Sequence, residues 1–87
     1  MDYLEKEVRD GKQAAAFVEQ EAWVNAVARV KAKYFKVFTD SGLDDPGARE
    51  KAYLMNRALA DIETELQITK DRGLHAASEV ARSARKK

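Results

Sequence analysis

Carboxylates and a single histidine are the residues of this sequence whose side chains could do chemistry. Asp61 and Glu65 lie four residues apart on a predicted helix, and Glu63 stands between them. Di-metal sites in helical bundles need carboxylates from several helices together with Glu-x-x-His pairs, and the sequence contains no such pair. We therefore interpret these three carboxylates as part of a solvated acidic face.

The other chemical motifs point to local structure rather than to catalysis. His75 is the only histidine and cysteine is absent, which excludes multi-histidine and thiolate metal sites within one copy. The segment 40–45 resembles a calcium loop faintly, but it lacks the EF-hand order of ligands, and a turn followed by a helix cap explains it. No phosphate loop, dinucleotide fingerprint or catalytic serine motif occurs. The sequence predicts no enzyme, no metal and no cofactor.

The composition predicts a single small helical domain over residues 1–87. Sixteen Lys and Arg balance 15 Asp and Glu, so the net charge of +1 marks neither a nucleic acid nor a membrane as partner. Good helix formers dominate and β-branched residues never alternate, which indicates the all-α class. No apolar run approaches the roughly 20 residues of a bilayer span. The acidic N-terminus lacks the apolar core of a secretory signal, so we expect a cytoplasmic protein.

Hydrophobic periodicity predicts two long helices, over about 13–40 and about 46–72. Each carries apolar residues at alternating spacings of three and four, which places them on one helix face. In the first helix these residues are Trp23, Val27, Val30, Tyr34 and Val37. In the second they are Ala52, Met55, Leu59, Ile62 and Leu66. The matched lengths and the short connection predict an antiparallel two-helix hairpin in which Val27 faces Leu59.

Turn and cap residues set the expected ends of these helices. Asp45 is predicted to cap the second long helix and Pro46 to occupy its first position. Gly73 is predicted to end that helix in a left-handed C′ conformation. We expect a short basic helix over 74–86, and a short N-terminal segment in which Gly11 breaks or bends the chain.

The apolar residues outnumber the positions of a two-helix seam. Trp23, Phe35, Tyr53 and Leu54 cannot all face the partner helix, so we predict that they form a protein interface. Either the terminal segments or another chain must cover them, because a two-helix hairpin buries little surface. We therefore expect a homo-oligomer, a larger protein partner, or both, and no small-molecule substrate.

The C-terminal region is basic and is the candidate nucleic-acid contact. Residues 66–87 hold six Lys and Arg against two Asp and Glu, a net +4. Four cations end the chain: Arg82, Arg85, Lys86 and Lys87. They can neutralise phosphates in a salt-dependent way, but no aromatic residue in 74–87 offers a stacking platform. A solvated terminus is the alternative interpretation.

The layout resembles small uncharacterised helical-hairpin proteins of tailed bacteriophages, whose genes lie among virion structural and packaging genes. The matching features are Ala16-Phe17-Val18, the segment Trp23 to Phe38, Asp44-Asp45, Arg49-Glu50, and Leu59-x-x-Ile62 with Leu66 ahead of Gly73. The resemblance implies a viral origin and a non-enzymatic role, in the host cytoplasm or in the virion. It transfers no functional residues.

Three functions stay open on these grounds. The leading hypothesis is a structural or interaction protein that assembles with itself or with a larger virion or packaging protein. The first alternative is a nucleic-acid-binding packaging or regulatory accessory that uses the basic tail. The second alternative is a small viral inhibitor of a host enzyme or defence protein, which needs the same kind of exposed helix face.

The predicted seam has a direct test in Leu59→Asp. A carboxylate opposite Val27 would bury an unpaired charge, so we expect a loss of about 3–5 kcal/mol in the free energy of unfolding. Circular dichroism should then report an unfolded chain. A variant that keeps its full helical signal would show that the seam is wrongly assigned.

Overall fold

The described part of the chain consists of helices and short connections. The computed structural model describes residues 2–42 and 44–85, and over these residues it contains three helices and no strand. They are α1 (Asp2–Val18), α2 (Glu21–Asp40) and α3 (Pro46–Arg85). The all-α prediction is thereby confirmed. The chain divides into two compact units, one containing α1 with the part of α3 from Thr64 onward, the other spanning Glu21–Glu63.

The first unit contains a very close approach between α1 and α3 at two glycines. A Cβ atom placed on Gly11 would lie 2.6 Å from the Cα of Gly73, and one placed on Gly73 would lie 2.7 Å from the Cα of Gly11. Real Cβ contacts are not this short, so glycine is required on both helices. Ala14 and Ala76 follow each glycine by three residues and are also buried, which continues the contact with small side chains.

The predicted helix end at Gly73 is wrong, as are the boundaries 46–72 and 74–86 that depended on it. Gly73 lies inside α3 and is buried, and none of the described glycines has a positive φ. Its role is to let α1 approach, not to adopt a left-handed cap. The residues after it include several alanines, which propagate a helix well, so α3 continues to Arg85. Gly11 likewise lies inside α1 and does not break it.

The predicted single helix over 13–40 is interrupted at Glu19 and Gln20. The Gln20 N–H donates to the Phe17 carbonyl oxygen at 3.1 Å, which closes α1 with a tighter turn before α2 begins.

In the second unit, side chains and backbone amides terminate α2 and start α3. The Ser41 N–H donates to the Val37 carbonyl oxygen at 3.1 Å, and the Ser41 hydroxyl lies 2.8 Å from that oxygen and 2.9 Å from the carbonyl oxygen of Phe38. The Ala48 N–H donates to Asp45 Oδ1 at 3.2 Å, and Pro46 is the first residue of α3. The predicted cap and helix start are therefore confirmed.

Within residues 21–42 and 44–63, the buried hydrophobic residues are Val27 and Ala52, and Leu59 is half-buried. Two side-chain contacts join α2 to the first part of α3. Lys31 Nζ lies 2.8 Å from Glu63 Oε1, and the Arg49 guanidinium lies 5.3 Å from the centre of the Phe38 ring. The ion pair is solvent-exposed and stabilises the unit by at most about 1 kcal/mol, so packing must supply most of its stability.

The glycine contact of the first unit predicts opposite effects for two Gly→Ala substitutions. Gly73→Ala should lower the free energy of unfolding by about 1–3 kcal/mol, because its Cβ meets backbone atoms that cannot rotate away. Gly47→Ala is the matched control, since its Cβ would meet nothing nearer than Asp45 Oδ1 at 4.0 Å. That variant should be unchanged or more stable by about 0.4–1 kcal/mol. Thermal and urea unfolding measure both, and an equally stable Gly73→Ala variant would contradict the contact.

Candidate protein interface

Few large side chains are buried within the described residues. The buried hydrophobic residues there are Ala14, Val27, Ala52 and Ala76, and none of the largest side chains is fully buried. Of the four predicted interface residues, Phe35 is 64% exposed, Tyr53 55% and Leu54 54%, whereas Trp23 is half-buried. Three of the four are thus accessible to a partner.

Phe35 and Tyr53 lie on the side of the second unit that carries its ion pair. Phe35 follows Lys31 by four residues and Tyr53 follows Arg49 by four, so each shares a helix face with a residue that contacts the other helix. We call this surface the charged face. Its residues are Lys31, Phe35, Phe38, Arg49, Tyr53 and Glu63. Exposed aromatic rings beside charges of both signs are typical of protein interfaces.

A second apolar surface lies on the opposite flank of the two buried residues. Val30 follows Val27 by three residues and Met55 follows Ala52 by three, and each repeats two turns later, at Val37 and Ile62. We call the four residues Val30, Val37, Met55 and Ile62 the apolar groove. They are 38–50% exposed. At its loop end, Val37 and Ala48 line one open cavity of about 410 Å³, which indicates that α2 and α3 border the groove together.

The four predicted interface residues therefore do not form one surface. Trp23 stands seven residues before Val30, on the groove side of α2. Leu54 follows the buried Ala52 by two residues and so points away from α2, toward neither surface. The hydrophobic spacing placed all four groove residues in the predicted buried seam, so it did not predict that they form an exposed surface. The apolar stripe of each predicted helix is wider than one seam can bury, and this width indicated that some of its residues must be exposed.

The chemical candidates of the sequence, Asp61, Glu63, Glu65 and His75, all lie on α3. Glu63 pairs with Lys31, and Asp61 Oδ1 lies 3.7 Å from Arg57 Nε on the exposed surface. His75 is exposed within α3. Across residues 2–42 and 44–85, no three carboxylate or histidine side chains are grouped as metal ligands would be. Over the same residues, no helix combines the length and the hydropathy of a membrane span.

The basic tail is described only in part. Arg82 and Arg85 are exposed in the last turns of α3, where cations interact favourably with the helix dipole. Arg82 Nη1 lies 3.3 Å from Glu79 Oε1, so this cation already has an anionic neighbour. Lys86 and Lys87 lie outside the described residues. The described part of the tail thus offers two exposed arginines, one helical turn apart.

We expect the tail to bind DNA only at low salt. Each neutralised phosphate contributes a slope of about −0.9 to the dependence of log affinity on log salt, so the binding of a few cations fades as salt rises. A DNA titration at two salt concentrations, with the full chain and with a version ending at Ala81, measures this. Tight, salt-resistant binding that vanishes on truncation would make nucleic acid the primary partner.

Neither a protein family model nor a curated protein nor a solved structure matches this chain.

Proposed function

We propose that this protein is a non-enzymatic structural or interaction protein. Residues Glu21–Glu63 form a helical hairpin that assembles with a second copy or with a larger virion or packaging protein. The observation that carries the proposal is the imbalance within this unit. Among its described residues, the buried hydrophobic ones are Val27 and Ala52, whereas the larger Phe35 and Tyr53 are more than half exposed.

Large apolar side chains gain more free energy from burial than small ones do. Burying a large apolar side chain stabilises a protein by about 1.5–3 kcal/mol, and aromatic residues contribute the largest areas. Ordering the backbone costs about 1–2 kcal/mol per residue, so a unit with so small a core gains much from a covering partner. Phe35 and Tyr53 are the anchors that we assign to that contact.

The charged face suits contact with a second copy. It holds cations, Lys31 and Arg49, together with the anion Glu63, so two such faces can meet without accumulating charge of one sign. Charges at an interface steer encounter and set the register, while the aromatic anchors supply most of the affinity. The resemblance to helical-hairpin proteins of tailed phages is what supports a virion or packaging protein as the larger partner.

The proposal predicts a mass above that of one chain. By light scattering at micromolar concentration, the protein should exceed the 9.8 kDa of a monomer. The double variant Phe35→Ser/Tyr53→Ser should return the mass to that of a monomer, because it removes both anchors of the charged face. Leu54→Ser is the matched control, since Leu54 is equally exposed but lies on neither surface, and its mass should be unchanged.

A strict monomer that also fails to bind a dye for exposed apolar surface would contradict both forms of the proposal. A loss of mass with Leu54→Ser and not with the double variant would place the contact elsewhere on α3.

A further inference from the structure

We propose that Asn56 fixes the register in which α2 packs on α3. It is an uncharged polar residue at the contact between these two helices, where it lowers the stability of the second unit and in return excludes other pairings. This role goes beyond the proposed function, because it concerns the contact between α2 and α3 and not the surface that a partner covers.

The side-chain oxygen of Asn56 is buried without a hydrogen-bond donor. Asn56 Oδ1 is inaccessible to solvent, and no donor among the described residues lies within hydrogen-bond distance of it. Asn56 is half-buried, four residues after the buried Ala52 and three before the half-buried Leu59. A buried acceptor without a donor is costly, because it has lost its hydrogen bond to water and gained none in return. The amide therefore destabilises the unit at a position where α3 meets α2.

Two side-chain contacts locate Asn56 relative to α2. Arg49, Asn56 and Glu63 follow one another at intervals of seven residues on α3, so they share a helix face. Glu63 contacts Lys31, and Arg49 contacts Phe38. Asn56 lies midway between these two contacts and so faces the stretch of α2 between Lys31 and Phe38.

The apolar residues by themselves do not select this register. Val30 and Val37 on α2, and Met55 and Ile62 on α3, are each seven residues apart. A slip of seven residues would therefore bring similar side chains together again. The ion pair between the helices is solvent-exposed and contributes too little to decide between two registers.

Asn56 distinguishes the registers because its amide is better tolerated in one of them. A slip of seven residues toward the start of α2 would move Asn56 to the neighbourhood of Val27, the buried residue of that helix. The amide would then lose more of its contact with water, at a further cost in free energy. A slip in the other direction would move Asn56 past Phe38 toward the end of α2 at Asp40 and shorten the overlap of the helices. A polar residue within a helix contact specifies register in this way.

The connection over residues 41–45 is short and also restrains the register within one chain. No such connection joins α2 of one copy to α3 of another, so Asn56 matters most for pairings between copies. We therefore expect the loss of Asn56 to produce helices that pair outside their own chain.

The test replaces Asn56 by Leu, an apolar side chain of similar size. Asn56→Leu should lower the equilibrium constant of unfolding, measured in urea, at least about fivefold, because it removes the unpaired amide. It should also add a second population of distances between α2 and α3. Pulsed electron spin resonance measures these distances between labels on Arg29→Cys and Arg57→Cys, two exposed positions in a chain that has no other cysteine. Dilution into unlabelled protein restricts the measurement to distances within one chain.

Asn25→Leu is the matched control, since Asn25 is an exposed residue of α2. It should leave the unfolding constant within about twofold of the parent value and keep one narrow distance. Asn56→Ala removes the same amide without adding a larger side chain, and it should also show the second population. A poor fit of Leu at this position would then not account for the result.

Four results would overturn the inference. An Asn56→Leu chain no more stable than the parent would show that the amide does not destabilise the unit. A more stable chain with one narrow distance, or an Asn56→Ala chain with one narrow distance, would show that the register does not depend on Asn56. A second population in Asn25→Leu would attribute the effect to added apolar surface. None of these results depends on the mass of the protein, so the inference and the assembly through the charged face are tested separately.

Discussion

The contact between Gly11 and Gly73 is the constraint on which the first unit depends. Two helix backbones approach so closely there that neither position has room for a Cβ atom. Dispersion contacts fall off steeply with distance, so close backbones gain many of them even where the side chains are small. The same contact explains why α3 passes through Gly73 without ending, since a cap would have removed the surface on which α1 packs. Glycine is needed at these two positions because it has no side chain. Its access to positive φ plays no part here.

The second unit differs from the first, because its interior is narrow and its surface is rich in apolar residues. Val27 and Ala52 occupy the inner positions of α2 and α3, and the residues three and four positions away fall on two opposite flanks. One flank combines aromatic rings with charges of both signs. The other carries aliphatic side chains, with lysines and aspartates around the cavity at its loop end. A pair of helices thus presents two chemically distinct surfaces.

Several features of the fold were predictable because they depend on neighbouring residues. The cap at Asp45 and the start of α3 at Pro46 follow from the orphan N–H groups of a first turn, which any nearby carboxylate can accept. The break at Glu19 and Gln20 was not predicted, because it contains neither Gly nor Pro. The exposed apolar residues were predicted by type, as large apolar groups in excess of one seam, but not by their arrangement.

The sequence by itself determined the all-α class, the start of α3 and the excess of large apolar side chains. Helix propensity, capping and spacing are local properties, and they act within a few residues of chain. Only the tertiary structure decided that Gly11 and Gly73 are in contact. In a sequence, a glycine that permits a left-handed turn cannot be distinguished from a glycine that permits the close approach of another helix. The tertiary structure also decided that Phe35 and Tyr53 share one surface while Leu54 belongs to neither. That division depends on which side of each helix the partner helix covers, and this is set by packing across long separations in the chain.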